Sequence, residues 1–211
     1  MPGFDETETR QIDREVTQRI PHTLKRPIGV SAVRGRRHEH KKNGVCTMLN
    51  SKIEDAFNKQ LNAELYASYL YLSMSADFEA KNMRGMSRWM KMQSQEEYGH
   101  AMKFYGQLIE RGGRIKLTSI DAPKPEWATV LAAFEDAYKH ECKVTGMIHD
   151  MMNLAISEKD HAAVVFLQWF VKEQVEEEGS VLEIVDQLKM IGDAPGPLFM
   201  LDHHLGQRSG N

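Results

Sequence analysis

Four stretches of the sequence carry apolar residues at helical spacing, and each has polar side chains near its middle. Steps of three and four residues place side chains on one face of a helix, so the stretches predict four amphipathic helices. An ionised carboxylate in an apolar interior costs several kcal/mol unless another charge compensates it. The pattern therefore predicts a helical bundle that holds divalent cations inside. The interrupting residues are Glu64, Glu97, His100, Glu141, Gln174 and Glu177.

The same spacing predicts where each helix runs. The predicted helices cover 49–77, 82–111, 126–157 and 161–191, and a short amphipathic segment follows at 198–205. Residues 112–125 have no helical period and contain Pro123 and Pro125, so they predict a long connection. The break before the fourth helix is short, which favours antiparallel neighbours. We expect an all-α fold, a four-helix bundle with one long crossover and a short C-terminal fifth helix.

Composition narrows the class of protein further. With 211 residues, 41% of them hydrophobic, the chain can bury a core without disulfides. Cys46 and Cys142 lie far apart and fit neither a disulfide framework nor a zinc module, which favours a reducing, cytoplasmic setting. No apolar run reaches the roughly 18 residues of a membrane span, and the amino terminus lacks the apolar core of a signal peptide. The sequence thus predicts no membrane partner.

Residues 1–47 differ in composition from the rest. Ten Lys/Arg against six Asp/Glu give them a charge of +4, whereas seventeen against twenty-four give the remainder −7. Proline and glycine interrupt the basic part, which predicts a disordered extension ahead of a domain at 48–211. Only the basic run 34–42 favours nucleic-acid binding. A different interpretation places the native start at Met48, because Gly44-Val45 can be encoded by a purine-rich ribosome-binding sequence.

Four motifs, in order along the four helices, resemble those of prokaryotic non-haem ferritins over residues 48–205. They are Asn62-Ala63-Glu64-Leu65-Tyr66, Gln95-Glu96-Glu97-Tyr98-Gly99-His100, Tyr138-Lys139-His140-Glu141, and Phe166-Leu167-Gln168-Trp169 with Glu173-Gln174 to Glu178. Symmetric ferritin-like diiron bundles carry a Glu-x-x-His motif on two helices. Here the fourth helix has Gln174 followed by Glu177, where the second His would fall. The resemblance therefore implies an asymmetric centre.

The resemblance also implies roles for individual residues. A first iron site would consist of Glu64, Glu97 and His100, with Glu97 bridging to a second site completed by Glu141. Gln174 would lie beside the iron pair without being a strong ligand. A third, outer iron site would use Glu96, Glu173 and Glu177. Tyr71, two turns after Glu64, and Trp169, one turn before Glu173, would be electron donors near the centre.

The function implied is iron storage with ferroxidase activity. Fe(II) would be oxidised by dioxygen or hydrogen peroxide at two irons per subunit, and ferric oxyhydroxide would accumulate in a hollow cage of 24 subunits. No haem is expected, because the thirteen methionines are better explained as core filling. Two alternatives stay open, a rubrerythrin-like peroxide-scavenging diiron protein and a DNA-protecting mini-ferritin. The first lacks its Cys-x-x-Cys module here, and the second takes its ligands from two subunits.

Overall fold

A computed structural model describes residues 49–192 and 194–208, and within these ranges the regular structure is entirely helical. The predicted basic extension, 1–47, and Met48 lie outside the described residues. The helices are α1 (Ser51–Ala80), α2 (Arg84–Glu110), α3 (Val130–Ser157), α4 (His161–Ile191) and α5 (Pro195–Leu205). This order confirms the predicted bundle of four long helices with a short C-terminal helix.

Side-chain caps define three of the helix starts. The side chain of Asn50 accepts the backbone N–H of Lys52 at the start of α1. Thr129 caps α3 and Asp160 caps α4 in the same way, each satisfying a backbone donor that has no partner within its helix. These polar residues fix the register of the helices that carry the central polar side chains.

Several predicted boundaries differ from the structure by a few residues, and α1 for example ends at Ala80 rather than at 77. The third helix begins at Val130 rather than near Trp127, because Trp127 is held outside the helix. Its backbone N–H donates to Asp77 (3.2 Å) and its indole N–H to Asp136 (3.0 Å). The second helix begins at Arg84 rather than at Asn82. Asn82 has a φ of +59° and forms the turn between α1 and α2, a conformation that asparagine tolerates better than most residues.

Helix α1 packs along α2, α3 packs along α4, and α5 lies across α2. The crossover, 111–129, is attached to α1 by two asparagine side chains. Asn58 donates to the carbonyl of Arg114 (2.9 Å) and accepts the N–H of Lys116 (2.6 Å). Asn62 donates to the carbonyl of Lys116 and accepts the N–H of Thr118. These bonds satisfy the irregular backbone, so the long connection lies against the bundle.

The hydrophobic core forms two clusters along the bundle. The first contains Tyr71, Trp89 and Phe134, and the second contains Phe57, Phe104 and several residues of α4. Between them lies a layer of buried polar side chains contributed by all four long helices. Its members are Gln60, Glu64, Gln93, Glu97, His100, Glu141, Gln174 and Glu177. Each helix thus places its polar residues at the junction of two apolar halves.

Within the described residues, no helix is both long enough and apolar enough to cross a membrane.

Candidate metal centre

The inner cluster, defined as Glu64, Glu97 and His100, joins helices α1 and α2. One ligand atom from each of its side chains lies within 4.8 Å of the others, and all three side chains are buried. The imidazole Nδ1 of His100 is 3.3 Å from a carboxylate oxygen of Glu97. Glu64 Oε2 is buried and has no hydrogen-bond partner among the described residues. A buried oxygen without a partner is costly, and a bound cation would satisfy it.

Each glutamate of the inner cluster is supported by a glutamine four residues earlier. Gln60 Nε2 donates to Glu64 Oε1 (2.9 Å), and Gln93 Nε2 donates to Glu97 Oε1 (3.2 Å). Residues four apart face each other on a helix, so both amides lie in the same buried layer as the acids. An amide donor stabilises the carboxylate without adding a cation, which leaves the negative charge available to a metal.

Glu141 lies on α3, and the side chains of two residues, Tyr71 and Gln174, contact its carboxylate. The phenol of Tyr71 donates a short hydrogen bond to one of its carboxylate oxygens. The amide of Gln174 lies 3.4 Å from the other oxygen and 3.3 Å from the hydroxyl of Thr145. Glu141 does not join the inner cluster within 4.8 Å, but its charge is close enough to influence Glu64. On this side of the centre, the predicted second site therefore has one carboxylate, that of Glu141, and one weakly bonded amide, that of Gln174.

The outer cluster, defined as His100, Glu173 and Glu177, adjoins the inner one. Its ligand atoms also lie within 4.8 Å of one another, and His100 Nε2 is 3.8 Å from Glu173. Gln93 Nε2 donates a second hydrogen bond, of 2.5 Å, to Glu177. Glu96, the remaining residue predicted for the outer site, lines the same cleft as His100 and Glu173, but it pairs with Arg208 and does not join the cluster within 4.8 Å. The structure thus brings two of the three predicted outer ligands together.

Burial and mutual repulsion shift the acid–base properties of the centre. Burial raises the pKa of Glu97 to about 7 and, with repulsion from Glu97, the pKa of Glu141 to about 8. The same two causes raise the pKa of Glu177 to about 8 and that of Glu64 well above its usual range. Burial lowers the pKa of His100, which favours the neutral imidazole that binds metals. Among the described residues, no lysine or arginine forms an ion pair with these four glutamates.

Two aromatic residues predicted as electron donors occupy different environments. Tyr71 is fully buried between Glu141 and Trp89, and burial raises its pKa well above 10. Trp169 is partly exposed in a cleft of about 500 Å³ that reaches the outer cluster. Its ring contacts His100 edge-on at 5.4 Å, while the ammonium of Lys103 lies 4.0 Å from its centroid.

Several other carboxylates and histidines have structural partners or lie outside the two clusters. Glu158 bonds Lys52 and Asn50, and Asp160 pairs with Arg111 besides capping α4. The imidazole of His140 is half-buried beside Tyr66, outside both metal clusters, and burial lowers its pKa to about 4. His203 and His204 are exposed on α5.

Three residues at the centre carried no functional prediction. Gln60 and Gln93 lie one turn before Glu64 and Glu97, so helical spacing could have indicated both as hydrogen-bond donors to the acids. Arg208 follows the last helix, where no periodicity connects it with residues more than 110 positions earlier. Sequence alone offered no signal for that contact.

A bundle with a crossover and a buried cluster of carboxylates and one imidazole defines the ferritin-like class of proteins. The ferritin-like domain family matches residues 54–191 of the chain. A bacterial non-heme ferritin from Bacteroides fragilis (strain 638R) is 44% identical over 161 residues, which are 76% of this chain and 100% of that protein. One from Staphylococcus saprophyticus is 37% identical and covers 77% of this chain and 97% of its own length.

Solved structures agree with these matches. An open pore ferritin from the hyperthermophilic archaeon Archaeoglobus fulgidus superposes with a TM-score of 0.76 at 48% identity, covering 76% of this chain and 99% of that one. The chain therefore belongs to the ferritin family.

Proposed function

We propose that this protein stores iron and oxidises Fe(II) at a diiron centre within each subunit. The observation that carries the proposal is the inner cluster, where Glu64, Glu97 and His100 converge in the core with Glu64 Oε2 unpartnered. Carboxylate and imidazole ligands suit Fe(II), and a ligand set rich in carboxylate oxygen binds Fe(III) more strongly still. Oxidation of bound iron is therefore favoured thermodynamically.

The proposed reaction takes one electron from each of two Fe(II) ions. With dioxygen, two Fe(II) and two protons give two Fe(III) and hydrogen peroxide; with peroxide as oxidant, two Fe(II), one peroxide and two protons give two Fe(III) and two waters. Glu64, Glu97 and His100 would hold one iron. Glu97 would reach the other, which Glu141 holds with Gln174 beside it, and Tyr71 orients Glu141 by donating to it.

Movement of iron out of the centre follows from the asymmetry of the ligands. Apart from the shared Glu97, the second site has one carboxylate and an amide whose shortest hydrogen bond is 3.3 Å, to Thr145. Fe(III) there would have few strong ligands, so we propose that it is displaced into a ferric oxyhydroxide store rather than retained. Glu173 and Glu177 lie next to the inner cluster and, with Glu96, would serve as the outer iron site on that route.

A storage function requires a container, and we propose a hollow homo-oligomer, of 24 subunits by the resemblance to the family. An exposed apolar groove between the end of α4 and α5 supports self-association. It is bordered by Met190, Phe199 and Met200, each at least 70% exposed in the single chain. Exposed apolar patches of this kind mark interaction surfaces.

Aerobic addition of Fe(II) to wild type and to Glu97→Ala tests the proposal. We expect wild type to oxidise Fe(II) rapidly and to yield electron-dense particles of cage size, and Glu97→Ala to oxidise it at least tenfold more slowly. Glu110→Ala is the matched control, because Glu110 is an exposed glutamate on the same helix. Oxidation is followed by ferric absorbance and particle size by electron microscopy.

The outcomes separate the alternatives. Equal oxidation rates in wild type and Glu97→Ala would refute the assigned centre. Fast peroxide turnover without mineral growth would instead indicate a rubrerythrin-like scavenger. A twelve-subunit mass with salt-sensitive retention on DNA would indicate a DNA-protecting protein.

A further inference from the structure

Arg208, beyond the end of α5, inserts its guanidinium between two helical residues beside the outer cluster. Nη2 donates to Glu96 Oε2 at 2.5 Å, and Nη1 donates to Gln93 Oε1 at 2.9 Å. The guanidinium carbon also lies 4.7 Å from the centroid of the Trp89 ring. The side chains of Arg208 and Glu96 are each 25% exposed, so the ion pair is largely shielded from water. A forked guanidinium with three contacts is well oriented.

The contact extends to the metal centre through Gln93. This amide is fully buried, and its nitrogen donates to both Glu97 and Glu177. A guanidinium can only donate, so the amide oxygen of Gln93 must face Arg208 and its nitrogen then faces the two acids. Arg208 therefore fixes the orientation of a side chain that contacts one ligand of the inner cluster and one of the outer cluster.

Glu96 itself lines the same cleft as His100 and Glu173, and Arg208 holds one of its carboxylate oxygens. Its carboxylate lies outside the group formed by His100, Glu173 and Glu177. A cation bound in the outer cluster gains Glu96 as a ligand only if the carboxylate moves closer, because Glu96 does not join the cluster within 4.8 Å while Arg208 holds its Oε2. Metal and guanidinium thus compete for one carboxylate.

We propose that Arg208 is a built-in competitor for the outer metal site and a positioning residue for Gln93. This inference rests on the proposed function. In the metal-free protein the guanidinium supplies positive charge to Glu96, and a divalent cation entering the outer site displaces it. The outer site then binds a cation less tightly than its carboxylates alone would, so iron passes through the site rather than remaining bound there.

Zn(II), which is not oxidised, is the probe for a calorimetric titration of the iron-free assembled protein. The Glu173→Gln variant should lose Zn(II) binding at the outer cluster, so the class of binding sites that is missing from its titration is the outer class. We expect Arg208→Gln to tighten outer-class Zn(II) binding about tenfold and to leave inner-class stoichiometry unchanged. Arg208→Lys, which keeps the charge but not the fork, should give an intermediate affinity.

The matched control is Lys103→Gln. Lys103 lines the same cleft and carries the same charge, but its ammonium lies over Trp169 and pairs with no carboxylate among the described residues. Its removal should tighten outer-class binding about twofold, through the general electrostatic effect alone. In a Glu96→Gln background, Arg208→Gln should change outer-class affinity little, because the contested carboxylate is gone.

A second readout follows the guanidinium directly. In a Trp169→Phe background, Zn(II) bound at the outer site should change the emission of Trp89 as Arg208 leaves its ring, and Arg208→Gln should abolish that change. Equal tightening by Arg208→Gln and Lys103→Gln, or full tightening in the Glu96→Gln background, would overturn the competition. If wild type binds no Zn(II) at the inner class, the proposed function itself fails.

Discussion

At the scale of single residues, the centre depends on amide donors placed one turn before its acids. Gln60 is 1% exposed and donates to Glu64, and this bond opposes the rise in pKa that burial imposes on Glu64. Hydrogen bonds to charged groups are worth about 1.5–3 kcal/mol net. An isolated glutamate in this layer would hold its proton more tightly and compete less well for a cation.

Gln60→Leu should therefore weaken binding at the inner cluster by about tenfold at neutral pH, because the pKa of Glu64 rises further and metal must displace its proton. Zn(II) calorimetry on iron-free protein measures the change. The control is Gln187→Leu, which removes an exposed amide that donates to Glu183 at 3.1 Å, and should leave binding unchanged. Equal affinity in Gln60→Leu and wild type would show that the buried amide does not tune Glu64.

At the scale of helices, periodicity predicted the elements well because each long helix buries one face. The helical spacing of the apolar residues predicted that Glu64, Glu97 and Glu141 face inward, and all three are at most 2% exposed. Boundaries fixed by long-range contacts were predicted less well. Trp127 lies outside the third helix because its backbone N–H bonds Asp77, and the orientation of the Glu96 side chain depends on its ion pair with Arg208. Neither feature has a signal in the local sequence. The ligand assignments stay predictions that metal binding must test.

The docking of α5 depends on a glycine at the start of α2. A Cβ added at Gly85 would lie 1.6 Å from the backbone oxygen of Asp202, so only glycine allows this approach. In return, the carboxylate of Asp202 accepts the backbone N–H of Met86 (2.9 Å). The contact also determines where the chain continues towards Arg208.

Gly85→Ala should displace α5 and lower the stability of the protein by about 2 kcal/mol or more, since the clash involves backbone and cannot be relieved by a rotamer change. Gly106→Ala on the same helix is the control, because no atom lies within 4 Å of its added Cβ. It should be neutral or slightly stabilising. Chemical denaturation followed by circular dichroism measures both, and equal stabilities would show that α5 does not depend on the close approach.

At the scale of the whole molecule, the centre divides the core and makes stability depend on pH. Glu97, Glu141 and Glu177 have folded-state pKa values of about 7, 8 and 8, all above the usual value of 4.5. The folded protein therefore binds more protons than the unfolded chain up to about pH 8, and its stability falls as pH rises through that range. Buried His100 and His140, whose pKa values are lowered, act in the opposite direction only below about 6.5.

Between pH 6.5 and 8.5 the shifted glutamates dominate, so metal-free protein should lose stability by up to about 1.4 kcal/mol per pH unit for each titrating group. Thermal unfolding in the presence of a chelator measures the slope. Glu177→Gln should flatten it, because the amide has no proton to lose, whereas Glu176→Gln, an exposed neighbour, should not. Saturating Zn(II) should reverse the sign of the slope, since the metal displaces protons and binds more tightly as pH rises. Metal-free protein whose melting temperature rises from pH 6.5 to 8.5 would show that these carboxylates are not held protonated in the core.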